Sequence, residues 1–123
     1  MSSYHEPVEE LSQADRDIHR ALNSLKEEVE AVDWYHQRAA ASQDETIRSV
    51  ILHNRDEEIE HACMMLEWLR RTMPEWDAAL RTYLFTTAPI TEVEEAATGG
   101  EGSGNAAPAS SASGIGIGSM KNR

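Results

Sequence analysis

Glu58 and His61, in the stretch Asn54-Arg55-Asp56-Glu57-Glu58-Ile59-Glu60-His61, offer a hard oxygen donor and an imidazole three residues apart. Glu-x-x-His on the inner face of a helix is the spacing by which a helical bundle presents both groups to one metal ion. A second acidic group lies upstream, where Glu27, Glu28, Glu30 and Asp33 precede Trp34-Tyr35. The chemistry these residue types suit is ligation of a divalent cation by carboxylate oxygens with some nitrogen.

The elements that would carry them can be read from spacing. From about Gln43 to Thr72 the chain has no Gly or Pro, which predicts one long helix. At about 100° per residue, Ile47, Ile51, Ala62, Met65 and Leu69 form one apolar stripe, and Glu58 projects within about 40° of all five. His61 falls at the edge of that stripe, beside Val50 and Trp68. An ionised carboxylate withdrawn from water without a partner costs at least several kcal/mol, so a cation or a metal must answer it. Two other arrangements fit the same pattern: a Glu that snorkels to water, or a protonated acid in a subunit contact.

Upstream, Ser12 followed by Asp15 can cap a helix start. From there to about Ala40, the residues Ala14, Ile18, Ala21, Leu22, Leu25, Val29, Val32 and Ala39 recur at helical spacing. Glu28 borders this stripe. Glu27, Glu30 and Trp34 point away from it, Glu27 and Glu30 as a solvated face by default. An indole among acids on an outward face needs a cover, of which a subunit contact is the simplest. His36 falls within the stripe as a satisfied core histidine rather than a ligand, while His5, His19 and His53 read as exposed. Ser42-Gln43-Asp44-Glu45 reads as a capping box for the second helix. Each helix comes to about 30 residues, or about 45 Å at 1.5 Å per residue. Equal lengths and a short turn predict an antiparallel helical hairpin.

Residues 1–11 read as a loose N-terminal arm and 12–97 as the helical domain. Pro74 closes the second helix. Trp76, Leu80, Tyr83 and Leu84 then suggest a short third helix packing across the hairpin; Pro89 ends it, and Thr91 to Ala97 add one or two turns. Residues 98–114, rich in Gly, Ser and Ala, read as a flexible linker. In the last stretch, 115–123, Ile115, Ile117 and Met120 alternate with Gly and Ser ahead of Lys121 and Arg123. An extended peptide of that kind drops side chains into a partner's pockets.

The chain has 123 residues and a net charge of −11, from 22 acids and 11 bases. That surface argues against nucleic acid and anionic membrane as partners and is compatible with collecting cations. The single cysteine, Cys63, excludes an internal disulfide, fits a reducing compartment, and reads as a small buried hydrophobe. With no secretory pattern and no membrane-spanning run, the expected location is the cytosol.

A dimetal carboxylate bundle takes one Glu from each of two helices and Glu-x-x-His from each of the other two. This chain supplies one inward Glu (Glu28) and one Glu-x-x-His (Glu58, His61), half a site on half a bundle. A twofold dimer would complete both, giving four carboxylates and two imidazoles around two metals. Iron or manganese suits such ligands, with zinc a competitor.

Across most of Ile18 to Thr91 the sequence resembles the encapsulated ferritins. The resemblance rests on Leu25-Lys26-Glu27-Glu28-Val29-Glu30-Ala31-Val32-Asp33-Trp34-Tyr35, His53-Asn54-Arg55-Asp56-Glu57-Glu58 and Glu60-His61-Ala62. Met65-Leu66-Glu67-Trp68-Leu69-Arg70-Arg71 and Leu80-Arg81-Thr82-Tyr83-Leu84-Phe85 fit it as well. It implies an all-α hairpin with a short C-terminal helix, dimerising into a ferritin-like four-helix bundle. It further implies a ferroxidase that oxidises Fe(II) with O2 at a centre of two irons per dimer. By that likeness Glu28, Glu58 and His61 are the catalytic metal ligands, with Glu58 bridging. Trp34 and Tyr35 lie behind them, Tyr35 beside the centre, and Glu27 and Glu30 near Trp34 form an outer site that draws in cations. The likeness also implies a ring of five dimers working inside an encapsulin shell, with 115–123 as the shell-targeting peptide. Two competing readings are another ferritin-like dimetal oxidase and an acidic helical adaptor that dimerises and docks through its tail.

Overall fold

The computed structural model describes residues 4–99. Among them it is all-α, with helices α1 (Gln13–Ala41), α2 (Glu45–Thr72), α3 (Pro74–Tyr83) and α4 (Ile90–Gly99), and a single 3-10 turn at Val8–Glu10. The expected linker beyond Gly99 and the peptide at 115–123 lie outside the described residues.

The start of α1 follows the sequence. The Ser12 hydroxyl accepts the Asp15 backbone N–H at 3.0 Å and donates back to the Asp15 carboxylate at 2.9 Å. This satisfies one of the amides that a helix N-terminus leaves without an intrahelical partner. The segment before α1 is tied to it. Arg16 donates from Nε to the Leu11 carbonyl and from Nη2 to the Val8 carbonyl, and Tyr4 stacks on His19 with ring centroids 4.2 Å apart. His19 is therefore half-buried, against the exposed position its spacing suggests.

The capping box expected at Ser42 is not formed. The Ser42 backbone N–H donates to the Arg38 and Ala39 carbonyls, so Ser42 closes α1. Asp44 starts α2, its Oδ1 accepting from the backbone N–H groups of Thr46 and Ile47 at 2.9 and 3.1 Å. A short turn must serve two helix ends at once, and Ser42 goes to the first.

Arg55 of α2 reaches His36 of α1, and His61 of α2 reaches Glu28 of α1. Later residues of one helix meet earlier ones of the other, so the pair is antiparallel. Its apolar stripes are poorly covered. Ala21, Ala39 and Leu69 are the buried apolar side chains among the described residues, whereas Leu22, Val29, Ile47, Val50, Met64 and Trp68 stay exposed. Asp17, Arg20, Ala21 and Ser24 of α1 and Met64, Met65 and Trp68 of α2 line an open groove of about 520 Å³. Cys63 is exposed as a free thiol, not the buried hydrophobe its place beside the stripe suggests, because nothing in a two-helix layer covers that flank.

The chain divides into two compact units, Met1–Leu69 and Arg70–Arg123. In the second, Asp77 accepts from Arg70 and from Arg81 Nε, fastening the turn where Met73 separates α2 from α3. Pro74 stands at the first helical position of α3, where its missing N–H costs nothing. No helix among the described residues is long and apolar enough to cross a membrane.

Candidate metal centre

Glu28 comes from the middle of α1, and Glu58 and His61 from consecutive turns of α2. The antiparallel pairing brings them together. His61 Nδ1 lies 3.2 Å from Glu58 Oε1 and 3.7 Å from Glu28 Oε1. One ligand atom from each of the three falls within 4.8 Å of the others, the one such cluster of acids, histidines and cysteines among the described residues. The carboxylates are half-buried, at 24% exposure for Glu58 and 27% for Glu28, and His61 is 45% exposed. Glu58 is thus less deeply withdrawn than its place on the stripe suggests, because one hairpin covers one side of it.

A hydrogen bond with Glu58 pushes the Glu28 carboxyl above its ordinary 4.5, aided by burial and by the Glu58 charge. Glu58 is held below 4.5 by hydrogen bonds with Glu28 and then His61. The hydrogen bond to Glu58 raises the His61 imidazole above 6.5, with the charges of Glu28, Glu58 and Glu57 adding to it. Two carboxyl groups this close favour sharing a proton over ionising together. The set therefore attracts positive charge, as protons or as a metal ion, and two oxygens with one nitrogen fit a hard or borderline divalent cation.

Glu27 and Glu30 are exposed on α1 and stand apart from the cluster. Asn23 donates to Glu27 Oε2 at 3.2 Å. Trp34, 49% exposed, lines a shallow groove with Gln37 and Arg38. Tyr35 is half-buried, with the Arg38 guanidinium 5.4 Å from its ring centroid. His36, read from its spacing as a core residue, is exposed, and its Nδ1 is 3.1 Å from Arg55 Nη1. Sequence reasoning passed over Arg55. Its one available signal was a lone cation one turn before Glu58, on a helix otherwise acidic at that level.

Comparison with known proteins agrees with this fold. A "Ferritin-like protein" of Thermotoga maritima is 69% identical over 97 residues, covering 79% of this chain and 85% of that protein. An "Encapsulated ferritin-like protein" of Rhodospirillum rubrum is 54% identical over 124 residues, covering 98% of this chain and 89% of that protein. The crystal structure of a protein from Nitrosomonas europaea superposes with a TM-score of 0.71 at 54% identity, over 72% of this chain and 98% of that one. Residues 3–87 match the EncFtn-like family, and with that match and those identities the chain belongs to it.

Proposed function

We propose that the chain is a ferroxidase subunit that binds Fe(II) at Glu28, Glu58 and His61 and delivers its electrons to O2. The observation that carries this reading is the meeting of those three ligands from two helices within 4.8 Å. Fe(II) is the substrate here, and each ion gives up one electron to O2. Hard carboxylate ligands favour Fe(III) over Fe(II), which makes that loss easier. The chain's own residues prepare the site by releasing protons. The Glu28 carboxyl and the His61 imidazole both bind metal in their deprotonated forms, and their upward shifts make a proton compete with the metal for each.

In this reading the site is finished by a twofold mate, which supplies a second Glu28, Glu58 and His61 so that two irons share six protein ligands. The exposed stripe residues Val29, Ile47 and Val50 support it, since a lone hairpin leaves them facing water. Glu27 and Glu30 gather cations at an outer site beside Trp34, and Tyr35 lies behind the ligands. Residues 12–97 form the half-ferritin domain, whose dimers close into a ring of five. The peptide 115–123 docks in an encapsulin shell, placing the protein in a cytoplasmic nanocompartment that stores the iron. The Rhodospirillum rubrum relative's name and its match over 98% of this chain support the shell association.

The deciding experiment is anaerobic Fe(II) titration followed by O2, with oligomeric state measured alongside. Saturation near two irons per dimer and rapid oxidation are expected. A monomer or dimer that takes up no iron would leave an acidic helical adaptor as the better description.

A further inference from the structure

A metal site built from two helices is only as well defined as the register between them. One residue of slip moves a helix about 1.5 Å and turns it about 100°, enough to swing Glu58 and His61 away from Glu28. The thin apolar cover between α1 and α2 does not fix register well, because apolar contact is non-directional. A directional link is present. Arg55 of α2 donates from Nη1 to His36 Nδ1 of α1 at 3.1 Å. Its other donors, Nε and Nη2, both hold Asp56 Oδ1, at 3.1 and 3.0 Å, which fixes the guanidinium plane. The link sits one turn from Glu58 on α2, about 4.5 Å along the axis, and two turns from Glu28 on α1. Asp56 also offsets a positive charge that would otherwise repel a cation one turn away.

We propose that Arg55, braced by Asp56 and bonded to His36, is the positioning residue that sets the register of α2 against α1 at the Glu28–Glu58–His61 cluster. This inference rests on the metal-binding reading of that cluster. Arg55 and His36 touch neither metal nor oxidant, and act through the placement of Glu58 and His61. An acceptor at the Nδ1 position of residue 36 is what the link requires, so His36→Asn, with Oδ1 at that place, should replace histidine, and His36→Leu should not.

The test uses the full chain and Co(II) as the probe, following its visible absorption. His36→Leu and Arg55→Leu are each expected to weaken Co(II) binding about tenfold and to alter the absorption band, the loss expected from one hydrogen bond to a charged group. His36→Asn is expected to stay within about twofold of the unaltered chain, a rescue that a general packing role would not produce. In the metal-free protein, nitrogen NMR should find His36 Nδ1 unprotonated and shifted by Arg55→Leu. Unchanged affinity and spectrum in His36→Leu, or equal loss in His36→Leu and His36→Asn, would overturn the proposal while the metal reading stands. No Co(II) binding by the unaltered chain would remove both.

Discussion

Removing Glu58 touches two partners at once, since it accepts from His61 and is hydrogen-bonded to Glu28. Glu58→Ala is therefore expected to abolish dinuclear iron binding and nearly all oxidation, read by anaerobic titration and stopped-flow absorbance. Glu30→Ala, outside the cluster, should change the concentration dependence of iron uptake more than the limiting rate. The pH dependence has two opposite signs. His61 is raised above 6.5, so the stability it lends the metal-free fold is fully present below that pH and is lost as pH rises through its folded value. Glu58, held below 4.5, contributes stability that is present above 4.5 and lost as pH falls through its folded value. Metal affinity runs against the His61 trend, because the proton on His61 must leave first. Co(II) binding at pH 6 should release protons, and fewer as pH rises through the folded His61 value, which calorimetry in two buffers of different ionisation enthalpy would show. No proton release at pH 6 would mean that His61 is not a ligand.

At the scale of helices, the turn between α1 and α2 makes a separable prediction. Asp44 carries the α2 cap, so Asp44→Ala should cost about 1 kcal/mol in thermal or denaturant unfolding, and Ser42→Ala clearly less. A reversed order would restore the capping box at Ser42. The end of α3 carries a strained position. Phe85 follows the C-cap with φ of +61°, a conformation natural to Gly, and its ring is exposed. If the ring touches nothing in solution, Phe85→Gly should stabilise the fold by about 0.5 kcal/mol, the relief of strain being partly offset by the freer unfolded chain. A loss of stability would mean that the ring is covered in the assembled protein.

At the scale of the molecule, the exposed stripe and the proposed completion of the cluster by a twofold mate predict linked behaviour. Ile47→Glu alters a side chain already in contact with water in the lone chain, so it should leave helix content unchanged. It should still abolish dimers by sedimentation and weaken iron binding with them. Truncation before Ile115 should leave oxidation intact and remove co-purification with the encapsulin shell. Loss of oxidation on that truncation would give the tail a role in the site itself.

The sequence by itself determined the all-α class, the two long helices with their near-equal lengths and the Ser12 cap, and it singled out Glu28, Glu58 and His61 as the candidate cluster. These follow from periodicity, capping chemistry and spacing, each written within a single helix or its flanking turn. The tertiary structure decided which groups meet across the hairpin: His61 between two carboxylates, Arg55 on His36, Tyr4 on His19. It also moved the α2 cap to Asp44 and left Cys63 in water. Such outcomes depend on register, on competition between neighbouring helix ends, and on how much surface one layer of helices can cover. None of these is fixed by the residue types at a single position, because each is settled by what a distant stretch of chain brings to the same place.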